Sequence, residues 1–255
     1  MTIHQCCPAL LIFLFFLGEV AAQQGIAFPS NPYAYWYFLT PSSYGPPPGK
    51  AIFQNVMLAA MQYQKTTQRG NTYTIGLIPS LLLGKSAMPV WVSAHRRIPL
   101  GGQPEHPFAT ANIGGFFLSI PKQADEREGR DLSLFYTNVN FGNREKNFAI
   151  GAAVVPTGLR QGGLTHAFTL HGMTRLGPRS CLITENYLIH DQGAWLPCSM
   201  SGWRGWRKRT ALDVSLLLAR IPASWRSSNQ SSWLPIPWIS IHRTLAYDFF
   251  NRTGD

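Results

Sequence analysis

The sequence predicts an all-β fold, a single antiparallel up-and-down β-barrel of about 10–12 strands. Segments of about ten residues alternate apolar and polar side chains and end on Gly, Pro or Asn, the period of a strand with two unlike faces. Only 13% of the 255 residues are charged although 45% are hydrophobic, and that charge share is about half of what a water-exposed domain carries. The chain holds 23 Gly and 19 Pro, which suit tight turns, and after residue 22 no apolar run is long enough for a membrane-spanning helix.

In chain order, residues 1–22 read as a secretory signal peptide: Pro8 to Gly18 is apolar, and Val20-Ala21-Ala22 offers a cleavage site before Gln23. Cys6 and Cys7 precede the apolar run and leave with it. Residues 23–50 form an N-terminal lead-in in which Gly45-Pro-Pro-Pro-Gly49 makes a stiff polyproline connector. The barrel domain is expected over 51–246 and a C-terminal tail over 247–255. The clearest strands are Thr72–Ile78, Leu132–Phe141, Phe148–Val155 and Leu164–Met173, with weaker candidates at 34–40, 51–64, 89–98, 107–120, 180–190, 196–205, 210–219 and 235–246.

The faces of these strands are chemically unlike. In Leu132–Phe141, Phe135, Val139 and Phe141 share one side and Tyr136, Asn138 and Asn140 the other; in Leu164–Met173, Phe168 and Leu170 oppose Thr165, Thr169 and His171. A membrane barrel with a polar interior requires this pattern, whereas a soluble periplasmic barrel or sandwich binding an apolar ligand turns it inside out. Alternation alone does not separate the two; the scarcity of charge favours the membrane form. Connections point the same way: 142–147 and 177–179 are tight, while 121–131, 156–163 and 220–234 are long and alternate with them, the short-turn and long-loop asymmetry of outer-membrane barrels. The connection at 99–106 breaks the pattern.

Cys181 and Cys198 flank a hairpin turn near Asp191–Ala194, which sets Cys181 opposite a residue near 206, so a disulfide between them is not expected. No zinc-spaced cluster is present, and no metal or cofactor is implied.

Gln54-Asn55, Pro89-Val90-Trp91, Asn140 to Asn147, Gly172 to Arg175 and above all Leu182-Ile-Thr-Glu-Asn-Tyr187 resemble an uncharacterised family of Bacteroidetes secreted proteins with outer-membrane-type barrels. The resemblance runs from about Tyr37 to Trp238. It implies fold and an outer-membrane location, with the outer-membrane assembly machinery as a partner, and carries no activity. The chain departs from many such barrels by ending Phe249-Phe250-Asn-Arg-Thr-Gly-Asp255 rather than on an aromatic last strand.

Two constellations are candidate sites. His171, Arg175 and Glu185 lie on neighbouring strands and form a polar cluster lining the lumen, with Arg175 as the cation expected to pair with Glu185. Trp203, Arg204, Trp206, Arg207, Lys208 and Arg209 form an interfacial basic-aromatic patch suited to membrane lipid or lipopolysaccharide rather than nucleic acid. The net charge of +10 favours anionic partners. No catalytic residues are assigned; the expected role is structural, receptor-like or that of a narrow conduit, the remote alternative being a barrel-embedded lipid hydrolase using His171 or Glu185. At roughly nineteen residues per strand and connection, the chain cannot exceed about twelve strands, too few for a wide aqueous channel.

Overall fold

The computed structural model describes residues 33–34, 37–42, 51–57, 59–67, 69–79, 88–101, 109–120, 130–156, 164–191, 193–221 and 232–245. The leader, the polyproline connector and the C-terminal tail lie outside the described residues. Twelve strands follow one another: β1 (Ala51–Val56), β2 (Ala60–Thr66), β3 (Asn71–Leu77), β4 (Val90–Leu100), β5 (Ala109–Ile120), β6 (Arg130–Gly142), β7 (Lys146–Pro156), β8 (Leu164–Gly177), β9 (Ser180–Asp191), β10 (Ala194–Arg207), β11 (Thr210–Ile221) and β12 (Ser232–Leu245). Each pairs antiparallel with its sequence neighbour, and β12 returns to β1 from Ala51↔Leu245 to Val56↔Ser240, which closes the barrel and leaves no edge.

The expected segment 51–64 is two strands joined at 57–59, where Met57 takes a positive φ of 51°. Of the expected strand at 34–40, the described residues 34 and 37–40 form no strand and lie inside the barrel.

Both faces sort as the alternation requires. Ile75, Ile113, Phe117, Phe135, Ile150, Phe168, Val214 and Leu216 stand exposed on the outer wall, while Thr72, Asn112, Asn138, Asn140, His171, Asp213 and His242 are buried within. A water-soluble barrel has the opposite sorting. At the end where β1 begins and β12 finishes, β6–β7, β8–β9 and β10–β11 join by short turns; this is the turn end. Apart from the tight β1–β2 and β9–β10 connections, the opposite end carries the long ones and is the loop end. The connection at 101–108 remains the exception among the turns.

The hairpin register sets Cys181 against Arg204 and Cys198 against Tyr187, and both cysteines are free. The β6–β7 turn depends on Gly142, whose φ is +105° and whose missing Cβ would collide with the Lys146 carbonyl oxygen. Gly142→Ala is expected to cost about 1–3 kcal/mol from the strained backbone alone, read as a lower urea midpoint of the detergent-folded protein. An unchanged midpoint would show that the turn relaxes freely.

Candidate functional site

Twelve strands enclose more space than their own side chains fill, since eight already leave a lumen just packed by side chains. Here residues 33–34 and 37–42 occupy that space as a strap, with Tyr33, Ala34, Tyr37, Phe38 and Ser42 all buried. Ser42 Oγ donates to the Ala34 carbonyl and Thr40 O accepts from Tyr37 N at 3.0 Å, so the strap folds back on itself.

Apolar packing seats it first. Ala34, Tyr37 and Phe38 form one buried cluster with Ala149, Met173, Cys181, Ile183, Met200 and Trp238, and Tyr33 packs with Ile52 and Ala211. A strap without regular structure carries backbone groups that water can no longer reach, and each must find a partner. The wall supplies them.

Glu185, on the inward face of β9, accepts Leu39 N–H at 2.9 Å and Thr40 N–H at 2.9 Å, while Tyr187 OH meets Thr40 Oγ1 at 2.7 Å. Across the lumen, Asn138 Nδ2 donates to the Pro41 carbonyl at 3.0 Å. The Tyr37 hydroxyl donates to Asn147 Oδ1 at 2.6 Å and accepts from Asn140 Nδ2 at 2.7 Å. Its ring stacks on the buried His171 imidazole, with centroids 5.1 Å apart.

The second grip is ionic. Arg204 Nη1 donates to the Tyr33 carbonyl and Nη2 to that of Tyr37, both at 2.6 Å. The remaining face of the guanidinium is bidentate on Asp213, through Nε at 2.6 Å and Nη2 at 2.8 Å. Asp213 Oδ2 also takes Ser240 Oγ at 3.1 Å and His242 Nε2 at 2.8 Å. Arg204 and Asp213 are both fully buried; the bidentate geometry and the extra donors are what make so dry a pair tolerable.

These contacts correct two expectations. His171 and Glu185 are directly opposite on β8 and β9, but Arg175 is not the partner of Glu185. It lies four residues nearer the turn end, opposite Cys181, where its Nη1 meets Glu145 at 2.6 Å and its guanidinium covers the Trp206 ring at 5.5 Å. The basic-aromatic string is not one surface either. Trp203, Arg207, Lys208 and Arg209 are exposed, whereas Arg204 is buried in the lumen and Trp206 packs against the strap's apolar clusters. Consecutive residues of a strand alternate faces, so a run of cations divides between lumen and exterior. Tyr187, Asp213, His242 and the strap itself are not singled out by the sequence; Asp213, at inward parity between the apolar outward Leu212 and Val214, is the available signal.

Buried polar atoms with no protein partner occur on both walls: both ring nitrogens of His95, both side-chain amide atoms of Asn112 and Thr74 Oγ1 on one, and both ring nitrogens of His171, Ser215 Oγ and Trp238 Nε1 on the other. Toward the loop end the inward positions mix apolar Leu118, Leu134, Val155, Leu196, Leu217 and Ile236 with Ser93, Thr165 and Thr169.

No protein-family model and no curated protein matches the sequence. Among solved structures, the chain is similar to a KdgM porin, with a TM-score of 0.52 at 6% identity over 77% of this chain and 99% of that one. A KdgM porin in complex with disordered oligogalacturonate gives a TM-score of 0.50 at 6% identity, covering 77% and 98% of the two chains. At such identity the likeness is one of fold.

Arg204→Met is expected to destabilise the barrel by about 3–5 kcal/mol, because it leaves Asp213 charged and buried without its cation. Arg204→Met/Asp213→Leu should recover most of that loss in urea unfolding followed by tryptophan fluorescence. A double variant no more stable than the single would show that the strap carbonyls, not the ion pair, dominate.

Proposed function

We propose that the protein is an outer-membrane β-barrel acting as a narrow conduit held closed by its own N-terminal strap. The observation that carries this reading is the double grip on residues 33–34 and 37–42 by Glu185 and Arg204 inside a barrel whose outer wall is apolar. A soluble barrel would expose that wall to water at a cost of roughly 25 cal/mol for every Å² of apolar surface, which disfavours the periplasmic ligand-binding alternative. The similarity to porin structures supports the architecture, and the family resemblance over Tyr37–Trp238 agrees with an outer-membrane location.

The strap's hydrogen bonds to Glu185 and Arg204 are the ones that an opening of the lumen must break. His171, stacked under Tyr37, has no approach for a substrate while the strap is seated, which speaks against the lipid-hydrolase reading.

Planar-bilayer recording tests the conduit. The wild-type protein is expected to show rare, small openings, and Glu185→Ala, which strands the Leu39 and Thr40 N–H groups, to raise the open fraction about tenfold, equivalent to about 1.4 kcal/mol. Large, steady ohmic channels from the wild type would refute the closure, as would a Glu185→Ala variant that conducts no more than wild type while still showing the heat-dependent gel shift of a folded barrel.

A further inference from the structure

The charge of this barrel is distributed along its axis, and the turn end holds an excess of cations that the strap does not use. Arg207, Lys208 and Arg209 cap the β10–β11 turn, Arg179 caps the neighbouring β8–β9 turn, Arg243 stands outward on β12 opposite Thr210, and Arg96 is exposed near the turn end of β4. All are exposed. Among the described residues of this end the carboxylates are Glu145, bonded to Arg175, and the buried Asp213 bonded to Arg204, so neither is placed to neutralise the collar.

An aromatic side chain lies directly beneath it. Trp203 is outward-facing and 41% exposed. Its ring lies across Gly205, where an added Cβ would collide with it, and so runs along the strand toward Arg207, the next outward position. An indole on an apolar wall with cations one step beyond it is the arrangement that sits at head-group depth, ring among the glycerol and acyl carbons and cations on the phosphates.

We infer that this turn-end collar binds anionic glycerophospholipid head groups in the leaflet that the turns face. The inference rests on the membrane reading above and adds to it a leaflet-specific partner. The collar is on the short-turn side, remote from the long loops; its ligand chemistry is a phosphodiester with a net negative charge, met by guanidinium and ammonium donors without a competing carboxylate. Gly205 serves the site by its lack of a side chain, since any larger residue displaces the Trp203 ring.

The test uses the full-length protein folded into phosphatidylcholine vesicles doped with brominated phosphatidylglycerol or, separately, with brominated phosphatidylcholine, and reads the quenching of tryptophan fluorescence. Wild type is expected to be quenched several-fold more effectively by the anionic lipid at low salt, with the preference falling as salt screens the contact. Arg207→Gln/Lys208→Gln/Arg209→Gln should bring the two lipids close to equal quenching, since each cation near an anionic surface contributes up to about fivefold. Equal quenching by the two lipids in wild type overturns the inference, as does a preference that survives in the triple variant. Preferential displacement of the brominated phosphatidylglycerol by lipid A overturns it too, assigning the collar to glycolipid. The heat-dependent gel shift, measured on the same samples, reports the barrel independently: its absence overturns the membrane reading together with this inference, and its presence with equal quenching overturns this inference alone.

Discussion

A closed barrel of twelve strands has to dispose of an interior that its inward side chains cannot fill. Water is one solution and chain is the other. This protein uses chain, and much else follows from the chemistry of an irregular peptide placed where water is excluded. The strap's carbonyls call for donors, supplied by Arg204 and Asn138; its N–H groups call for acceptors, supplied by Glu185. A buried arginine then calls for a counter-charge, and Asp213 in turn for the hydroxyl of Ser240 and the imidazole of His242. Four strands, β9 to β12, are thus tied to one short segment through a continuous polar network.

How legible this was in the sequence depends on the range of the interaction. Period-two alternation in Leu132–Phe141 and Leu164–Met173 is local, and it located strands, faces and the approximate strand number. The register of β8 on β9 is less local: the sequence puts His171 and Glu185 on neighbouring strands, but their direct opposition depends on the turn and on the irregularity between Arg175 and Gly177. The strap is a different matter. Residues 34–40, Ala-Tyr-Trp-Tyr-Phe-Leu-Thr, have the aromatic and apolar composition of a strand, and only the tertiary placement of residues 34 and 37–40 inside a barrel, with no free strand edge to join, removes that option. Glu185 was drawn to Arg175 because a buried carboxylate suggests a cation; two backbone N–H groups from a segment some 145 residues away satisfy it instead.

The basic-aromatic string shows the same limit from the other side. Read as composition, Trp203 to Arg209 is one patch; read as a strand, it is two, because Arg204 and Trp206 point where Trp203 and Arg207 do not. The division has a functional meaning. Arg204 is the cation of β10 that has inward parity and a carboxylate directly opposite on the next strand, Asp213, so it is retained in the lumen, while its neighbours are left to solvent or lipid. The Leu182–Tyr187 string likewise contains Glu185 and Tyr187, both of which hold the strap.

The grips on the strap, Glu185, Tyr187, Asn138, Asn140, Asn147 and Arg204, lie in the middle and turn-side layers of the lumen. The loop-side layers mix apolar Leu118, Leu134, Val155, Leu196, Leu217 and Ile236 with Ser93, Thr165 and Thr169. The seat is therefore set by where donors and acceptors coincide: the carbonyls of Tyr33, Tyr37 and Pro41 meet Arg204 and Asn138, and the N–H groups of Leu39 and Thr40 meet Glu185. Each of these five groups costs about 1–3 kcal/mol if left buried without a partner, which fixes the strap at one level of the barrel.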